Sequence, residues 1–105
     1  MSSAKDIVEN AIANRRVVIF AKSYCPHCRA SKQLLKELFP PGDILIFNLD
    51  LMEGGQAIQD YLVVKTGKKT VPQTFINGHH IGGNDDLQEA YKNGTLQRVI
   101  EGLPA

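Results

Sequence analysis

Two apolar runs limit what this chain can fold into. Val17-Val18-Ile19-Phe20-Ala21 and Ile44-Leu45-Ile46-Phe47 are continuous and show no polar alternation. Runs of that kind read as strands covered on both faces. Between them Ala30, Leu34, Leu35 and Leu38 recur at helical spacing, until Pro40-Pro41-Gly42 ends the pattern. Strand, helix and strand in that order make a β-α-β unit.

The flanking segments extend this unit. Ser3-Ala4-Lys5-Asp6 reads as a helix start, and Ile7, Val8, Ala11 and Ile12 predict an amphipathic helix over 4–14. Gly54-Gly55 opens a third helix, marked by Ala57, Ile58, Tyr61 and Leu62 and ending near Gly67. Gln73–Ile76 and His80-Ile81 then flank Asn77-Gly78, a strong hairpin signal because both turn positions need positive φ. Residues 85–93 and 95–101 read as closing helices, stopped by Gly94 and Gly102. The expected fold class is α/β, a four-stranded mixed sheet with helices on both faces.

Bulk composition excludes several functions. The 105 residues fit one domain, 1–105, with 43% apolar residues and a net charge of +1. No basic field suggests nucleic acid, and no apolar run is long enough to span a bilayer. The N-terminal segment lacks an apolar signal core, and two cysteines are too few for a secreted scaffold. A reducing cytoplasmic location is expected.

Both cysteines lie in Ser23-Tyr24-Cys25-Pro26-His27-Cys28, directly after the first strand. Three readings are open. A structural disulfide would close a very small loop and constrain the unfolded chain little. A zinc site lacks ligands: His79 and His80 sit in the hairpin, no second C-x-x-C exists, and no metal is expected. A redox pair fits a C-x-x-C after the first strand of a β-α-β unit. Pro26 suits the first helical position, which puts Cys25 at or near the N-cap. The free N–H groups of the first turn and the helix dipole then favour a thiolate, with Lys22, Arg29 and protonated His27 adding positive charge. Cys28, one turn on, should be more buried and less charged. One sulfur attacks and the other resolves.

The chain resembles the dithiol glutaredoxins over nearly its whole length. The motifs are K-S-Y-C-P-x-C at 22–28, Gln59 within I-Q-D-Y-L, T-V-P at 70–72, and G-G-N-D-D at 82–86. The resemblance implies a thioredoxin-like fold, with catalytic Cys25 and Cys28 and glutathione as electron donor. It implies that Lys22 and Gln59 hold the glycine carboxylate of glutathione and that Tyr24 and His27 wall its groove. It implies that Thr70, Val71 and a cis Pro72 present backbone to the cysteinyl part. Gly83, Asp85 and Asp86 would take the γ-glutamyl end, with helix N–H groups on its carboxylate and Asp86 on its amine. Asp85 also stands at capping-box spacing from Gln88.

Two positions depart from the family pattern. Asp85 stands where a small hydroxyl residue is common, and His27 where tyrosine is common. Histidine can titrate near neutral pH, so His27 is expected to modulate the pH dependence of catalysis. His79 and His80 are expected to be exposed and without a role.

The implied activity is glutathione-dependent reduction of glutathionylated proteins and of small or protein disulfides. No cofactor is bound permanently; glutathione is a co-substrate, regenerated by glutathione reductase, and the chain is expected to be a monomer. Three rivals remain: a thioredoxin-type reductant, a glutathione-ligated iron–sulfur cluster carrier and a non-catalytic adaptor. The absence of tryptophan and the G-G-N-D-D motif oppose the first. Pro26, which stiffens the loop, and Cys28 oppose the second. A non-catalytic adaptor is opposed by the retained nucleophile, resolver and groove.

Overall fold

A computed structural model describes residues 3–104; residues 1, 2 and 105, which belong to the expected 1–105 domain, lie outside the described residues. Helix α1 spans Ala4–Asn14, and the Ser3 hydroxyl caps it by accepting the Asp6 N–H at 3.1 Å. Strand β1 (Val17–Ala21) leads into α2 (Pro26–Leu38), and β2 (Ile44–Asn48) into α3 (Gly55–Thr66). Strands β3 (Gln73–Ile76) and β4 (His79–Gly82) form the hairpin, and α4 (Asn84–Asn93) and α5 (Thr95–Ile100) close the chain. Asn77 and Gly78 have φ of 50° and 81°, as an Asn-Gly hairpin turn requires.

The sheet order is β2-β1-β3-β4. Strand β1 runs parallel to β2 and antiparallel to β3, with Phe20 opposite both Phe47 and Gln73. All five residues of β1 are buried, as its apolar run predicts. The expectation for β2 needs correction: it is an edge strand and each of its residues is only half-buried. An apolar run reports that a strand is covered, but not whether it has a neighbour on each side.

Alternation along β1 divides the core. Val17, Ile19 and Ala21 face Leu35 of α2, Leu87 of α4 and Leu96 of α5. Val18 and Phe20 face Val8 of α1 and Ile58 and Leu62 of α3, together with Phe75 of β3. There Phe20 stacks on Phe47 with ring centroids 5.0 Å apart and meets Phe75 edge-on at 5.9 Å, both favoured aromatic geometries.

The strand directions decide where function can sit. The C-terminal ends of β1, β2 and β4 and the N-terminal start of β3 all lie at one end of the sheet. The segments at that end are 22–25, Leu49–Leu51, 67–72 and 82–84.

One glycine is demanded by packing here. A Cβ on Gly55 would lie 1.9 Å from the Leu49 carbonyl oxygen, whereas one on Gly42 meets nothing within 4 Å. Gly55→Ala should therefore destabilise the fold by about 1–3 kcal/mol or more, as overpacking against backbone does. Gly42→Ala should stay within about 0.5 kcal/mol of wild type. Urea unfolding midpoints of the two variants check this.

Candidate active site

Cys25 is the N-cap of α2. Its φ and ψ are −87° and 118°, Pro26 takes the first helical position, and the Cys25 Sγ accepts the Cys28 N–H at 3.3 Å. Both sulfurs are free thiols; Cys25 is half-buried and Cys28 is fully buried. Burial by itself would push the Cys25 pKa up. The Cys28 side chain, the N–H groups of Cys28 and His27, and the Lys32 charge outweigh it, so the thiol lies below its ordinary value. For Cys28 the order reverses: burial, followed by the hydrogen bond to Cys25, pushes it up to about 11. The two sulfurs thus differ, as expected, in burial and in acidity.

The sign of the pH dependence follows. Between the two pKa values Cys25 is a thiolate and Cys28 a thiol. As pH falls through the lowered Cys25 value, its sulfur is protonated and becomes a weaker nucleophile.

Lys22 is half-buried beside the turn and Arg29 is exposed. The charge that lowers Cys25 most is that of Lys32, which is not one of the cations expected. Lys32 lies seven residues beyond Cys25, two turns along the same helix face. Its Nζ donates to Asn48 Oδ1 at the end of β2, at 2.7 Å, which holds the charge near the sulfur. Its helical spacing was the signal in the sequence. The His27 side chain is exposed, and its contribution to Cys25 comes through its backbone N–H. Tyr24, 67% exposed, stands out on the surface beside the dithiol.

A second unexpected residue is Asp50. Its carboxylate accepts the Ser23 N–H at 2.8 Å and also the Ser23 hydroxyl, latching the turn before Cys25 to the end of β2. These Ser23 bonds hold Asp50 below the ordinary carboxylate range. The latch is therefore fully present above that range and is lost as pH falls through the depressed value.

The remaining candidates fall on the neighbouring loops. The Val71–Pro72 bond is cis, as the resemblance implied. Gln59 donates through Nε2 to the Lys69 carbonyl at 2.7 Å, so it holds the loop that carries exposed Thr70 and half-buried Val71. At the start of α4 the expected capping pair needs correction. Gly83 is the N-cap, and Asp86, not Gln88, reaches back to its N–H at 3.0 Å. Gln88 bonds Asn84 Oδ1 instead. Gly82, at φ +114°, leaves room for that carboxylate: a Cβ there would lie 2.4 Å from Asp86 Oδ2. Asp85 is exposed beside it. Ser31 of α2 donates to Asn84 Oδ1 at 2.9 Å, tying the dithiol helix to this turn.

His79 and His80 are both exposed, as expected, and the His80 ring is also engaged. It packs on Phe75 with centroids 4.9 Å apart, and Nε2 lies 3.2 Å from Gln73 Oε1. Much of the residue is accessible by area, yet burial of the ring, helped by the Lys68 charge, lowers its pKa.

A hollow of about 470 Å³ lies elsewhere, lined by Glu9, Arg15, Arg16 and Asn77 at the opposite end of the sheet. Around half-buried Cys25 the residues Ser23, Tyr24, Pro26 and His27 are exposed.

A protein-family model described as Glutaredoxin matches residues 17–81. The Glutaredoxin-1 of Rhizophagus irregularis is 49% identical over 104 residues, covering 98% of this chain and 100% of that protein. The chain belongs to the glutaredoxin family. It is a glutathione-dependent thiol–disulfide oxidoreductase with a thioredoxin-like fold. The Glutaredoxin-1 of Saccharomyces cerevisiae is 40% identical over 100 residues, covering 93% of this chain and 91% of that protein. Among solved structures, a buckwheat glutaredoxin–glutathione complex is 33% identical with a TM-score of 0.87, covering 94% of this chain and 88% of that one.

The electrostatics of this glutaredoxin yield a direct expectation. Lys32→Gln should raise the Cys25 pKa, and Lys22→Gln should raise it less. The pH dependence of iodoacetamide alkylation in a Cys28→Ser background measures both. Equal shifts for the two variants would contradict the assignment of Lys32.

Proposed function

We propose that this glutaredoxin acts chiefly on glutathionylated thiols, through a one-cysteine route at Cys25. The observation that carries this reading is the Cys25 Sγ accepting the N–H at the start of α2, paired with a Cys28 thiol pushed up to about 11. Such a pair has one sulfur ready to attack and one that is mostly protonated at neutral pH.

In the first step the Cys25 thiolate attacks the glutathione sulfur of a mixed disulfide. A Cys25–glutathione disulfide forms and the substrate thiolate leaves. In the second, a glutathione thiolate attacks the glutathione sulfur held on Cys25, releasing oxidised glutathione and restoring the Cys25 thiolate. Protein disulfides take a second branch. Cys28 loses its proton and attacks Cys25, releasing the protein thiol, and two glutathiones later reduce the Cys25–Cys28 bond.

Glutathione would lie across the loops at the active end of the sheet. Val71 offers backbone to the cysteinyl part. Lys22 supplies the charge for the glycine carboxylate, with Tyr24 and His27 as walls. The N–H groups of the first turn of α4 suit the γ-glutamyl carboxylate. Asp86 uses Oδ2 on the Gly83 N–H, which leaves Oδ1 for the γ-glutamyl amine. Asp85 adjoins the same carboxylate and weakens its binding by repulsion. The proposal extends to a monomer working in a reducing compartment such as the cytoplasm, and linked to glutathione reductase only through glutathione.

The test is turnover of a glutathionylated peptide with glutathione, coupled to glutathione reductase. Cys25→Ser should abolish activity, while Cys28→Ser should keep at least about a third of it. Loss of activity in Cys28→Ser would show that the two-cysteine branch carries the reaction.

A further inference from the structure

The segment before Pro72 has no regular structure, yet side-chain amides hold three of its consecutive carbonyls. Gln73 Nε2 donates to the Lys68 carbonyl at 2.8 Å and to the Thr70 carbonyl at 3.1 Å. Gln59 Nε2 donates to the Lys69 carbonyl between them. Gln73 is only 1% exposed, on a strand whose other members are Thr74, Phe75 and Ile76. A buried amide is costly unless its hydrogen bonds are made, and here both its donors are used.

The opposite end of that amide fixes which way it faces. Gln73 Oε1 lies 3.0 Å from Thr66 Oγ1 and 3.2 Å from His80 Nε2. Thr66 has one hydroxyl proton and also lies 2.8 Å from the Leu62 carbonyl, which needs a donor. The His80 Nε2–H then serves Oε1. A flipped amide would set an oxygen against two carbonyls at once.

The consequence lies in the next atoms of the chain. In a trans peptide unit the C=O of one residue and the N–H of the next point in opposite directions. The Thr70 carbonyl turns inward to buried Gln73, so the Val71 N–H turns outward from the core. The Lys69 N–H does the same across the Lys68 carbonyl. Among the described residues, the N–H groups of Lys69, Thr70 and Val71 donate to no protein acceptor. The segment is aimed but unpaired.

We propose that Gln73 is a positioning residue of this enzyme: by holding the Thr70 carbonyl it directs the Val71 N–H at the bound glutathione. Gln59 steadies the adjoining peptide unit through the Lys69 carbonyl. The inference rests on the glutathione reading above and adds to it one residue, Gln73, that touches no substrate.

Two variants and one wild-type measurement test it. Gln73→Met keeps the length and loses both donors. Its KM for a glutathionylated peptide should rise about tenfold, roughly one backbone hydrogen bond, with kcat and the iodoacetamide rate of Cys25 little changed. Gln73→Glu should show the same rise at neutral pH. Its KM relative to wild type should fall toward one at lower pH, as the acid regains a proton to donate to the Thr70 carbonyl. A role in stability alone would lower the melting temperature without that recovery. A KM for Gln73→Met within twofold of wild type overturns the proposal.

If both variants fail to fold, amide NMR of the wild type decides. S-methylglutathione should shift the Val71 N–H among the largest changes seen. Binding that leaves Val71 unshifted overturns this inference alone. No binding at all overturns the glutathione reading, and this inference with it.

Discussion

The hydrogen bond from the Cys28 N–H to the Cys25 sulfur is the interaction on which the rest depends. It makes a cysteine the cap of a helix, and the cap is where free N–H groups and the helix dipole favour negative charge. Pro26 serves this arrangement because the first helical position needs no N–H. Burial opposes it, for both sulfurs. Cys25 is only half-buried, and its hydrogen bonds and Lys32 prevail; Cys28 is wholly buried, and burial prevails. One structural difference, depth within the first turn of α2, thus separates the roles of two chemically identical groups.

That cap is held in place by the sheet. Strand β1 delivers the dithiol to the edge where β2, β3 and β4 also present their loops. Each neighbour contributes a fastening. Strand β2 ends in Asn48, which holds Lys32, and is followed by Asp50, which latches Ser23. Strand β3 begins with Gln73, which orders the loop before cis Pro72. The turn after β4 is tied to α2 through Ser31 and Asn84. A site built in this way is open to large substrates yet has little freedom in its own backbone, as orientation-dependent exchange requires.

Much of this was legible in the sequence, because it is local. Helix starts, glycine stops, the Asn77-Gly78 turn and the Cys25-Pro26 cap each depend on residues within about one turn of each other. The β-α-β unit followed from two apolar runs and the helix between them. What escaped was set by distance along the chain. Ser23 and Asp50 are 27 residues apart, and Lys32 and Asn48 are 16. No local pattern pairs them. Gln73 carried a weak signal, a long polar side chain opening an apolar strand, but its partners become visible only when α3 and β3 are brought together. At Asp86 the local rule was right in kind and misplaced by two residues, because Gly83 rather than Asp85 caps the helix.

The central claim is that α2 sorts the two sulfurs into thiolate and thiol, and the most direct measurement is an NMR titration of ¹³Cβ-labelled cysteine in the reduced wild-type protein. Two well-separated transitions should appear. The Cys25 signal should titrate below the value of an ordinary thiol, and the Cys28 signal should titrate near 11. Two signals that titrate together near about 8.5, the value of a free cysteine, would contradict the account.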